Sequence, residues 1–220
     1  MSLIVLEGAD GSGKTTQAKA LRGWLNARGA PYRALDFPRY GKPSGALVEQ
    51  YLGGAFGGSP GDVNPYAASV FYAADRVASY LEDWKTGWLA GELFITDRYT
   101  TSNAIHQASK LSEGERPAFF EWLFDFEYAR LGLPPPDLVL FLDMPPALAE
   151  RLMKRRGGAG DIHESDKDYM RRCYESGLQA AGLYNWRVIR CEGENGAPRP
   201  EQDIHNDIIS AVRALTEREE

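Results

Sequence analysis

The sequence predicts an α/β fold in which five short strands form a parallel sheet, helices cover both faces and a short lid closes over one edge. Leu3-Ile4-Val5-Leu6 is an unbroken apolar run of strand length that stops at a glycine-rich turn, the pattern of a strand buried on both faces. Leu93-Phe94-Ile95-Thr96-Asp97 and Leu138-Val139-Leu140-Phe141-Leu142-Asp143 repeat it. Each closes on an aspartate, where a parallel strand delivers its C-terminal edge. Segments with apolar residues at helical spacing separate these runs, so strands and helices alternate. The 220 residues fit one domain, residues 1–220.

After the first strand, residues 15–26 place Ala18, Leu21 and Leu25 on one helical face. A second strand spans 32–36. A short helix at 45–52 is entered from the Pro/Gly-rich turn at 41–44, and 53–61 is a connector. Asn64-Pro65 starts a long helix, because asparagine caps the first turn and proline fits within it. The aromatic group Phe119, Phe120, Trp122, Phe124, Phe126 and Tyr128 reads as helix packing. Residues 146–156, 165–184 and 199–217 read as helices, with the last strand at 187–190.

Apolar residues make up 43% and charged residues 25%, which predicts a folded globular chain. The net charge of −6 argues against nucleic acid as a partner, so any phosphate must be met by local cations. Apolar runs fall well short of the roughly 18 residues of a membrane span, and no membrane partner is expected. Residues 1–6 lead straight into Glu7 without a cationic start, which favours a strand over a signal peptide and predicts a cytoplasmic protein. Cys173 and Cys191 lack metal-ligand spacing and are expected to be reduced thiols.

Gly8-Ala9-Asp10-Gly11-Ser12-Gly13-Lys14-Thr15 satisfies G-x-x-x-x-G-K-[ST] between a predicted strand and a predicted helix. Gly8, Gly11 and Gly13 let backbone N–H groups, with Ser12, close around the phosphates of a nucleotide; Lys14 adds a cation, and Thr15 and Thr16 begin the helix. Thr15 is the expected ligand of Mg²⁺, with Asp97 at the same sheet edge as its partner. The fold is therefore the three-layer phosphate-loop nucleotide-binding type. Switch GTPases carry Asn-Lys-x-Asp and an Asp-x-x-Gly after the third strand, and neither occurs. The chain instead reads Asp97-Arg98-Tyr99, and an arginine beside the loop suits the phosphate of a second substrate.

Four motifs in order resemble the thymidylate kinase family over nearly the whole chain. They are the phosphate loop with Asp10 inside it, Phe37-Pro38-Arg39-Tyr40, Phe71-Tyr72-Ala73-Ala74-Asp75-Arg76, and Asp97-Arg98-Tyr99 followed by Ser102-Asn103. The resemblance implies transfer of the γ-phosphoryl group of ATP to dTMP, with Mg²⁺ as cofactor and a homodimer as the assembly. It implies that Phe71 stacks on thymine, Arg76 and Asn103 contact the base, and Leu52 borders it. Tyr40 and Arg98 would hold the acceptor phosphate, Asp10 the sugar hydroxyl, and Arg155 would pack on adenine. Phe37 would line the same acceptor site, before a Phe37–Pro38 bond that is cis in similar proteins. Catalysis is thereby implied for Asp10, Lys14 and Arg98.

Two positions depart from the pattern. Relatives place a catalytic arginine either in the phosphate loop or in the lid, here residues 154–166; this loop offers Gly11 and Ser12, and Ile162 stands at the lid position, leaving Lys154, Arg155 and Arg156 as lid cations. His106 stands where some relatives have a tyrosine near the sugar. Two alternatives remain open from sequence: a phosphate-loop kinase for another nucleoside monophosphate or a deoxynucleoside, and a nucleotide-dependent regulator without kinase activity.

Overall fold

The computed structural model describes residues 2–156 and 167–216. Its elements are β1 (Ser2–Glu7), α1 (Lys14–Asn26), β2 (Arg33–Leu35), α2 (Ala46–Leu52), α3 (Pro65–Ser79), α4 (Lys85–Leu89) and β3 (Leu93–Thr96). They continue as α5 (Thr100–His106), α6 (Arg116–Phe124), β4 (Leu138–Asp143), α7 (Pro146–Arg156), α8 (Lys167–Leu183), β5 (Arg187–Arg190) and α9 (Glu201–Thr216). The lid expected at 154–166 falls for the most part outside the described residues, as does the side chain of Arg155.

The five strands form one parallel sheet in the order β2-β3-β1-β4-β5. The chain leaves β1 toward one edge, returns to β3 beside it, and continues with β4 on the other side. Such a change of direction opens a crevice at the C-terminal strand ends, the usual ligand site of open α/β sheets.

The core follows from side-chain alternation along the strands. Leu3, Val5, Phe94, Val139 and Phe141 pack on one face with Trp84, Tyr99, Phe119, Phe120 and Tyr169. Ile4, Leu6, Ile95, Leu140 and Leu142 pack on the other with Ala18, Leu21 and Leu25 of α1 and Ile204, Ile208 and Val212 of α9. Both layers are apolar, which is why β1 and β4 read as continuous hydrophobic runs.

Asn64 caps α3 as expected, its Oδ1 accepting from the N–H groups of Tyr66 and Ala67 at 2.9 and 3.4 Å. After Ser79 the helix loosens into a π turn, Tyr80–Trp84, before α4, and a second π turn, Asp125–Arg130, follows α6. The first sets Trp84 fully inside the core against Tyr80, Phe94 and Tyr99. Helix α5 has no apolar periodicity: its Thr-Thr-Ser-Asn start is polar yet buried, because the hydroxyls are consumed by buried acceptors described below.

Cys173 and Cys191 are both unpaired and buried, one in each layer. Burial pushes each thiol up to about 12, so the nucleophilic thiolate is scarce at ordinary pH. Neither cysteine should react with iodoacetamide in the native protein at about pH 8, and both should react after denaturation. Mass counting of the adducts checks this, and native labelling of either would contradict the packing.

Candidate active site

Strands β1 and β3 run side by side with Val5 opposite Thr96, so the turns leaving their C-terminal ends face each other. The turn after β1 is the phosphate loop. Gly8, Gly11 and Gly13 adopt φ of +149°, +77° and +94°, conformations that side-chain-bearing residues rarely take. A Cβ on Gly8 would also stand 2.6 Å from Ser12 Oγ, and one on Gly11 2.8 Å from Met153 Cγ of α7. Gly13 is the N-cap of α1, so the loop amides and the positive end of the helix share one anion-binding concavity. Lys14 lies over the loop, its Nζ donating to the carbonyls of Gly8 and Ala9 at 2.8 and 3.0 Å.

The turn after β3 supplies the opposite wall. Thr15 Oγ1 donates to Asp97 Oδ2 at 3.0 Å, across 82 residues of sequence. A hydroxyl and a carboxylate converging at the head of α1 fit Mg²⁺, which takes one or two protein oxygens and leaves its other positions to water and phosphate. Arg98 Nη2 donates to Asp10 Oδ1 at 2.8 Å, and Lys14 Nζ stands 3.5 Å from the same oxygen. Burial alone would raise the Asp10 carboxyl; the lasting cations beside it, Lys14 foremost and then Arg98, outweigh it and hold the group far below the usual carboxylate range. Burial likewise opposes the charge on Arg98, and Asp10 more than restores it. Asp10 is therefore an anion set between cations.

Beside this pair lies a cleft enclosing about 640 Å³, including the part open to solvent. Of the residues that the family resemblance implied for the acceptor, Asp10, Phe37, Tyr40, Leu52, Arg76, Arg98 and Asn103 line it, together with Pro38, Tyr72, Tyr99, Ser102, His106, Gln107 and Tyr169. The Phe37–Pro38 bond is cis. Phe71 does not line the cleft: it packs on Phe56 and Tyr51, with ring centroids 5.4 and 6.3 Å apart. The aromatic wall from α3 is Tyr72. It precedes Arg76 by four residues, the spacing that puts two side chains on one helical face, and that spacing was the available signal.

Arg76 also has a partner that the sequence did not reveal. Its Nε and Nη2 donate to Glu127 at 2.7 and 2.5 Å, and both side chains are almost wholly buried. The same carboxylate accepts from Thr100 Oγ1 at 2.8 Å and Asn103 Nδ2 at 3.5 Å. The π turn after α6 thus delivers one acid that fixes α3 to α5. Arg39, inside the second motif, does not line the cleft: it pairs with the buried Asp75 and with Glu82 and Asp83, locking the 37–40 turn onto α3. Glu7, fully buried at the end of β1, accepts from Thr101 and Ser102 hydroxyls at 2.6 and 2.8 Å, and burial raises its carboxyl above the usual range. No local pattern marks Glu7 or Glu127, because their partners are distant in sequence.

A parallel sheet in this order with a phosphate loop after β1 and a second, arginine-edged cleft beside it defines a phosphate-loop nucleotide-binding protein built for two ligands. The thymidylate kinase family model matches residues 6–208. The thymidylate kinase of Mycobacterium tuberculosis (strain CDC 1551 / Oshkosh) is 34% identical over 178 residues, covering 77% of this chain and 81% of the relative. That of Bifidobacterium longum (strain DJO10A) is 31% identical over 84% of this chain and 87% of the relative. That of Arabidopsis thaliana is 28% identical over 98% of this chain and 74% of its own length. The chain belongs to the thymidylate kinase family.

Removing one member of a buried ion pair strands the other charge, at a cost of about 3–5 kcal/mol. Arg76→Ala should lower unfolding free energy by that amount in urea titrations, and Arg76→Met combined with Glu127→Leu should recover most of it. A loss in the double variant equal to the sum of the losses in Arg76→Met and Glu127→Leu taken singly would show that the pair is not coupled.

Proposed function

We propose that this chain transfers the γ-phosphoryl group of ATP to dTMP, giving dTDP and ADP. The observation that supports this is the Asp10–Arg98 contact, which sets a guanidinium suited to a second anion beside the phosphate loop. A non-bridging oxygen of the acceptor phosphate attacks the γ-phosphorus, the bond to the bridging oxygen breaks, and ADP departs with those electrons. The attacking oxygen is already ionised near neutral pH, so catalysis rests on alignment and charge neutralisation.

In this reading the loop from Gly8 to Thr16 binds the ATP phosphates, and Lys14 follows the charge onto the leaving oxygen. Thr15 and Asp97 would hold Mg²⁺, which when bound would supply charge compensation for the phosphates. Arg98 and Tyr40 hold the acceptor phosphate, and Asp10 takes the sugar hydroxyl and keeps Arg98 in place. Tyr72 stacks on the base, where the sequence had suggested Phe71. Arg76, two of whose nitrogens are committed to Glu127, presents Nη1 to the base edge beside Asn103; Phe37 and Leu52 complete the wall. Arg155 belongs to the adenine side by resemblance. A homodimer, implied by the family resemblance alone, and a cytoplasmic location, expected from sequence, belong to the same proposal.

A panel of nucleoside monophosphates and deoxynucleosides with MgATP tests this directly. Preferred phosphorylation of dTMP is expected, with turnover reduced by at least about a hundredfold in Lys14→Ala. Preference for another acceptor would make the chain a kinase of that monophosphate. ATP hydrolysis indifferent to every acceptor would favour a regulator.

Base stacking on an aromatic side chain contributes about 1–3 kcal/mol. Tyr72→Ala should therefore raise the KM for dTMP by about tenfold or more and leave the KM for ATP nearly unchanged. Phe71→Ala should leave both constants near wild type. The reverse ranking would return the stacking role to Phe71.

A further inference from the structure

The Arg98 side chain is 36% exposed, so packing alone does not immobilise its guanidinium. Two contacts do. Nη2 reaches Asp10 at 2.8 Å, and Nη1 reaches Nε2 of His106, the last residue of α5, at 3.3 Å. A guanidinium has only donors, so this contact requires Nε2 to be the unprotonated nitrogen. The ring proton then sits on Nδ1, which faces the Tyr169 hydroxyl at 3.4 Å and Cys173 Sγ at 3.6 Å on α8. An imidazolium would present N–H to N–H and set two positive charges in contact.

We propose that His106 is a positioning residue for phosphoryl transfer: its neutral imidazole holds Arg98 toward the acceptor phosphate, and its protonation releases the guanidinium and weakens catalysis at acid pH. The inference rests on the function proposed above. The groups facing the ring come from three directions. Arg98 follows β3, Asp10 lies in the phosphate loop with Lys14 behind it, and Tyr169 and Cys173 project from α8. Glu7 acts on Arg98 from behind α5, bonded to Thr101 and Ser102. Burial pushes Tyr169 and Cys173 upward, so both stay neutral through the range in which histidine titrates.

The test compares wild type with His106→Gln, whose amide oxygen replaces the Nε2 acceptor without an ionisable proton, and with His106→Leu, which has no acceptor. At about pH 8 the kcat/KM for dTMP should be similar in wild type and His106→Gln, and lower by about tenfold in His106→Leu. As pH falls to about 5.5, the ratio of wild type to His106→Gln should drop by about tenfold. The second ionisation of the substrate phosphate, near about pH 6, affects both proteins alike and cancels in that ratio. A flat ratio, or wild-type activity in His106→Leu, would overturn the proposal.

Proton NMR of the His106 ring gives an arm independent of activity. Removing the guanidinium in Arg98→Ala should raise the imidazole pKa, and an unchanged value would also overturn the contact. If wild type fails to phosphorylate dTMP while this shift is present, the functional assignment fails and the His106–Arg98 contact stands.

Discussion

The pairing of β1 with β3 is the constraint on which the site depends. Their parallel register sets the phosphate loop against the Asp97-Arg98 turn, and two contacts follow, Asp10 to Arg98 and Thr15 to Asp97. The partners in each contact are more than eighty residues apart in sequence. Neither depends on a flexible loop finding its place, since both turns leave fully buried strand ends. A phosphate-binding concavity and an arginine for a second anion therefore meet as a consequence of sheet order.

Placing so many charges together is costly unless each has a partner. The fold meets this requirement with shared acceptors. Asp10 sits between Lys14 and Arg98, Glu127 gathers Arg76, Thr100 and Asn103, and Glu7 takes two hydroxyls of α5. Helix α5 is the common member, held from below by two buried carboxyls and carrying Asn103 and His106 on the cleft. Polar satisfaction of its first turn adds to the burial of Ala104 and Ile105 in the core.

Much of this was legible in the sequence because its signals are local. The apolar runs marked β1, β3 and β4, Asn64-Pro65 marked the start of α3, and the glycines and lysine of the loop stated their chemistry directly. What escaped lies where distant residues decide the outcome. Helix α5 is polar and non-periodic, so its burial shows only once Glu7 and Glu127 are in place. The π turns shift a helical face by a residue without any breaker in the sequence. That Tyr72, not Phe71, lines the cleft had a local cue in the four-residue step to Arg76.

Gly11 carries a consequence for how this protein can change. Its backbone lies in the left-handed region and its missing Cβ points at Met153 of α7. A basic side chain at this corner of the loop would carry backbone strain and would have to displace the Met153 side chain and ease past the Ala149 carbonyl, 3.2 Å from a Cβ there. With this glycine in place, positive charge over the reacting phosphates is supplied from inside the loop by Lys14 and from beyond it by Arg98.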